Sequence, residues 1–189
     1  MGSELQEMYR RACLRFGEHV HAITDDQWSG STPCTEWDVR ALVDHLITEV
    51  AWVPPLVGGR SVAEVGDELS GDLTGDDPAA SWDRFAPPSI DAVTEPGAME
   101  RTVRLTKREL PTAQYVNEVF TDLLIHGWDL ARAIGAGDTL DPESVDVVYE
   151  AMKPYEAELK ASGVFGEMVV PPEGADRQTQ LLALFGRVA

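Results

Sequence analysis

The chain has 189 residues, 43% of them hydrophobic, enough for one core, which argues for a single domain over residues 1–189. Its 15 Lys and Arg stand against 33 Asp and Glu, and the formal charge of -18 repels phosphate backbones and anionic lipid surfaces, so neither nucleic acid nor a membrane is expected as a partner. No apolar run approaches the ~20 residues a span needs, MGSELQEMYRRACLRF lacks the apolar centre of a secretion signal, and two cysteines make no framework; a cytoplasmic chain with Cys13 and Cys34 free and reduced is expected.

Leu5, Met8, Tyr9, Ala12, Phe16, Val20 and Ile23 recur at three- and four-residue steps and predict a helix over roughly residues 4–22. After the turn-rich SGSTPC, Thr35 and Asp38 have capping-box spacing for a second helix, from about Glu36 until Pro54 and Pro55 stop it. Residues 57–78, rich in Gly, Asp and Ser, read as a long crossover loop giving access to a site. Pro78 to about Val93 carries Trp82, Phe85, Ile90 and Val93 at helical spacing, with Pro87 and Pro88 interrupting any continuous helix. MERTVRLTKREL alternates and predicts a short extended segment before Pro111. Helical period returns from Thr112 through Val116, Val119, Phe120, Leu123, Gly127, Leu130 and Ile134, until Gly135 and Gly137 end it. Asp141 caps a last helix with Pro142 as its first residue and Val145, Val148, Met152, Tyr155 and Leu159 facing inward, and the apolar tail VFGEMVVPPEGADRQTQLLALFGRVA packs back on the body. The fold class is all-α, a four-helix bundle with one long crossover.

Asp122 and His126 carry the chemistry. At about 100° per residue they lie roughly 40° apart on the margin of an apolar arc, so both face one groove. His45 falls on the margin of the arc made by Leu42, Leu46, Val50 and Val53, and the three donors can meet between two helices around one divalent ion with a coordination position left open. Zinc is the default for two imidazoles and a carboxylate, and Fe(II), Ni(II) or Co(II) suit the same donors. His19, on the inner arc of the first helix, reads as a core residue or a competing ligand, and His21 as exposed. Glu49 is open to three readings: a ligand, a partner fixing an imidazole tautomer, or a solvated charge. Cys34 either packs under the Trp37 turn or has its thiol activated by the helix start, while Trp37 and Trp128 either line the pocket or fill interhelical space. There is no Gly-rich phosphate loop, G-x-S-x-G elbow or H-E-x-x-H helix, so an external thiol is the natural nucleophile at an open ion.

TPCTEWDVRALVDHL resembles the T-P-C-x-x-W-x-V-R-x-L-x-x-H-L block, and HGWDLARAIG the H-G-W-D-L-A block, of DinB-like proteins related to mycothiol-dependent maleylpyruvate isomerase. FGEMVVPPEGADRQTQLLALFGR is similar to the closing segment of an actinobacterial branch known only as metal-binding proteins. The resemblance implies a DinB-like bundle whose divalent metal is held by His45, Asp122 and His126. It also implies mycothiol as thiol cosubstrate, acting with an electrophilic substrate in S-transfer or in cis-trans isomerisation by reversible thiol addition. The isomerase carries Glu where Asp122 stands, a reach longer by one methylene. A non-catalytic, metal-dependent small-molecule binder or sensor is the rival reading, and the chain is expected to be a monomer or homodimer.

Overall fold

The structure is a computed structural model and describes residues 2–158 and 169–189. Four long helices make the bundle: α1 (Gly2–Ala22), α2 (Val39–Val57), α4 (Pro78–Thr94) and α5 (Thr112–Ile134). The first two pack on α4 and on α5, so α1 and α2 sit on opposite corners and α5 has one flank toward each. This arrangement gives α5 two separate interhelical seams. No described helix is long and apolar enough to cross a membrane.

The periodicity of the sequence accounts for the seams. Met8, Tyr9, Cys13, Phe16 and Val20 of α1, Leu42, Val43, Leu46 and Val50 of α2, and Val116, Val119, Phe120, Leu123 and Leu130 of α5 are all buried. Gly17 admits α4 against α1: a Cβ there would stand 2.7 Å from Trp82 Nε1, and the indole packs 4.7 Å from the Phe16 ring. Deeper along the same seam Tyr9 shares a buried hydrogen bond with Ser89.

Several expectations are corrected at helix ends. Helix α2 starts at Val39, and its cap is Asp38, whose Oδ1 accepts from Ala41 N at 2.8 Å; Thr35 makes no capping box. It also runs through Pro54 and Pro55 to Val57, because two prolines in a last turn forfeit only bonds near the helix end, and Gly58 N still donates to Pro54 O at 2.9 Å. Helix α4 is likewise unbroken by Pro87 and Pro88. Both prolines and the residues four before them, Asp83 and Arg84, lie on the exposed face, so the carbonyls left without N–H donors can turn to water.

The 57–78 crossover contains a short helix, α3 (Val62–Val65), with a capping box between Ser61 and Glu64. It is pinned to α2 where Thr74 hydrogen-bonds Asp44. The extended segment is a hairpin, β1 (Thr102–Arg104) with β2 (Glu109–Pro111), antiparallel with Val103 opposite Leu110. At the end of α5, Gly135 takes φ 72°, the left-handed conformation that stops a helix. Asp141 caps α6 (Pro142–Met152), which buries Val145 and Val148; Tyr155 is exposed instead of inward, and Leu159 lies outside the described residues. The tail ends in α7 (Arg177–Leu184) against α6, burying Leu181, Leu182, Leu184 and Phe185.

Candidate metal centre between α2 and α5

His45 projects from α2 toward Asp122 of α5, with its Nε2 3.6 Å from Asp122 Oδ2. That separation is too long for a hydrogen bond from an imidazole N–H. It matches the gap between two ligands of one tetrahedral ion: at bond lengths of about 2.0–2.2 Å, neighbouring donors stand roughly 3.3–3.6 Å apart. The His126 ring, one helical turn beyond Asp122, lies edge-on to the His45 ring at 5.5 Å between centroids. The three expected donors therefore line one cleft. Its outer side is open, since the side chains of His45 and Asp122 are 26% and 40% exposed, against 11% for His126.

Trp37 lies over both imidazoles, 4.6 Å from the His45 ring and 5.2 Å from the His126 ring. Its position follows from the turn before α2, where Trp37 N donates to Cys34 O at 2.9 Å and Thr32 Oγ1 donates to the carbonyls of Cys34 and Trp37. Trp128 is on a different flank of α5 and does not take part. His21 is exposed, against Asp83, and His19 is buried on the α1 seam away from the cleft.

The side chain behind His126 gave no expectation from the sequence. Asp129, fully buried, accepts from His126 Nδ1 at 3.0 Å and receives Arg187 bidentately, with Nε and Nη2 at 3.1 and 2.7 Å. A carboxylate held by a guanidinium can only accept, so the shared proton sits on Nδ1, and in the neutral form of the ring that leaves the lone pair on Nε2 for a cation. The signal for Asp129 was its place three residues after His126 on one helix. Arg187 had none, because it arrives from 58 residues away through the packing of α7.

By distance alone, the His, Cys and carboxylate donors among the described residues that all lie within 4.8 Å of one another are a different set: Cys34, His126 and Asp129. Its chemistry opposes a cation. Both Asp129 oxygens are taken, the Arg187 guanidinium occupies the place of the positive charge, and burial pushes the Cys34 thiol up despite the nearby arginine. Burial thus outweighs any help from the start of α2, and Cys34 packs under the Trp37 turn. Both cysteines are free thiols, and burial pushes Cys13 up to about 12.

Glu49, one turn after His45, is held above the ordinary carboxylate range, first by burial and then by Asp122 and Glu118, with His45 opposing. Glu49 and Asp122 thus crowd two carboxyl groups around the imidazoles, and a negative charge on one disfavours a negative charge on the other. A cation there relieves that repulsion.

Two Mycobacterium tuberculosis proteins, from strains CDC 1551/Oshkosh and ATCC 25618/H37Rv and each named an uncharacterized protein, are 30% identical to this chain over 135 residues, 71% of this chain and 70% of theirs. No solved structure matches it significantly. The model of the mycothiol maleylpyruvate isomerase N-terminal domain matches residues 9–131, a span that holds α2 and α4 whole, most of α5, the larger part of α1, and His45, Asp122, His126 and the Asp129 behind them. With that match over more than half of its length, and an all-α bundle of the DinB-like kind, the chain belongs to the mycothiol maleylpyruvate isomerase N-terminal domain family.

Proposed function

We propose that His45, Asp122 and His126 hold one divalent ion, zinc by default, and that the chain is a thiol-dependent enzyme of the S-transferase or isomerase type with mycothiol as its thiol. The carrying observation is the 3.6 Å separation of His45 Nε2 and Asp122 Oδ2 beside an imidazole whose tautomer is set by a buried carboxylate. When bound, the ion supplies the positive charge that keeps a thiol ionised near neutral pH.

The protein's own residues divide the remaining work. The Asp129 carboxylate keeps the proton on His126 Nδ1, and Arg187 holds that carboxylate still with two hydrogen bonds. His126 is thereby the fixed ligand, while His45 and Asp122, more exposed and without a hydrogen bond to each other, are free to close the remaining distance upon it. Trp37 covers one side of both rings, leaving the outer side of the cleft for the thiol and an electrophilic substrate. Asp122, one methylene shorter than a Glu, would hold such an ion from a side chain of shorter reach on α5.

Metal content per chain after purification without chelator tests the ligands: about one equivalent for the wild type, and a large loss for His45→Ala and His126→Ala. Unchanged content in both variants refutes the assignment. Thiol-dependent consumption of maleylpyruvate or another electrophile by the loaded protein tests the reaction, and stoichiometric thiol binding without turnover gives the binder or sensor reading its support.

A further inference from the structure

The other flank of α5 carries a second site. A cavity of about 290 Å³ opens between α1, α5 and the start of α6, walled by Ala12, Phe16, Leu124 and Ala131 with Leu140 at its edge. An apolar cavity of about 150 Å³ holds a benzene ring, so this one has room for a two-ring molecule. None of its lining residues belongs to the cleft with His45.

The apolar wall is interrupted by donors with nothing to bond. Trp128 is 1% exposed, and its Nε1–H has no acceptor among the described residues; Arg11 Nε is also buried without one. His19, 5% exposed, makes no hydrogen bond among the described residues. A buried indole N–H normally finds a partner, because leaving it bare costs the desolvation of the group with no return. Two such donors beside one cavity favour a ligand that carries an acceptor.

Charge decides what kind of acceptor fits. Arg11 is already paired with Asp141 and Glu143 at 3.1 and 2.6 Å, and Arg15 with Glu18 at 2.9 Å. Asp138 also lines the cavity, and the whole chain carries a formal charge of -18. An anionic ligand would meet neutralised arginines and surplus carboxylates. We propose that this cavity binds a neutral, mostly apolar molecule of one or two rings bearing a carbonyl oxygen, which accepts from Trp128 Nε1.

Titration of the full chain with 1-tetralone, with tetralin as the same shape lacking the oxygen and 1-naphthoate as an anionic counterpart, tests this by calorimetry and by the indole N–H resonances of the five tryptophans. Tetralone should bind one to one, about tenfold more tightly than tetralin, and shift one indole N–H that is missing in Trp128→Phe. Trp128→Phe should lose that tenfold advantage while tetralin binds it unchanged, and Ala131→Phe, which fills the cavity, should abolish both. Absence of tetralone binding at millimolar concentration, equal affinity for Trp128→Phe, or tighter binding of naphthoate overturns the proposal. Trp128→Phe keeps an aromatic ring at the position though it fills less space than the indole, and its ratio of tetralone to tetralin affinity carries the test if Ala131→Phe fails to fold. Neither ligand needs the metal, so His126→Ala should bind tetralone as the wild type does.

Discussion

The two flanks of α5 differ in how they treat polar groups. Toward α2 the helix presents Asp122, His126 and Asp129, and the polar atoms are organised in depth: Arg187 holds Asp129, Asp129 holds His126, and His126 faces the open cleft. Toward α1 it presents Leu124, Trp128 and Ala131 around a largely apolar cavity where Trp128 Nε1 and Arg11 Nε find no acceptor among the described residues. One flank has its hydrogen bonds completed from within and offers lone pairs outward, which suits a cation. The other offers N–H groups, which suits an uncharged acceptor. The same helix can serve both because successive residues differ by about 100° in direction, so neighbours such as Asp122 and Leu123 look into different seams.

Breaking the buried pair should have the largest effect. Arg187→Met leaves the Asp129 carboxylate buried without its guanidinium and should cost about 3–5 kcal/mol in urea denaturation. The double variant Asp129→Leu with Arg187→Met should recover much of that loss; a single variant as stable as wild type removes the pair from any role in ordering the cleft. Next comes Asp129→Asn, which keeps size but weakens the hold on His126 Nδ1. Metal affinity should fall about 10–100-fold, read by competition with a chromogenic chelator, with tetralone binding on the opposite flank untouched. Equal loss on both flanks would show that the two sites are not separate.

Gly17→Ala probes how tightly α1 packs on α4, away from both flanks of α5. A methyl group 2.7 Å from Trp82 Nε1 should cost about 1–3 kcal/mol in thermal unfolding without altering metal content, and a neutral result means the α1 and α4 seam has slack. The smallest effect concerns His19, which burial holds below the ordinary histidine range, with Arg15 adding to the shift and Glu18 opposing it. The unfolded chain then takes up a proton near pH 6.5 that the folded chain does not, so stability is lost as pH falls from about 6.5 toward the lower folded value. The melting temperature of His19→Gln should fall less than that of the wild type between pH 7 and 5.5; parallel curves would place His19 in contact with water.

The long helices were legible because apolar side chains on α1, α2 and α5 repeat at the period of a helix with one buried face. Ends were harder to read where backbone and side chain compete. Thr35 and Asp38 are both acceptable caps, and the turn held by Thr32 gives the role to Asp38. Pro87 and Pro88 read as breakers, yet on the solvent face of α4 their cost is borne by hydrated carbonyls. The candidate ligands were legible as well, as inward-leaning polar residues on otherwise apolar arcs. Trp37 was one of two tryptophans the sequence placed by the pocket, and only its turn tells it apart from Trp128.

The letters alone determine which faces of the helices are buried and which polar residues interrupt them, since that follows from local period and from the cost of burying bare polar groups. Tertiary structure alone decides which interruptions meet. It brings Arg187 under Asp129 and closes the wall of α1 over Trp128, because contacts between residues distant in the chain depend on how whole helices pack and leave no mark on local spacing.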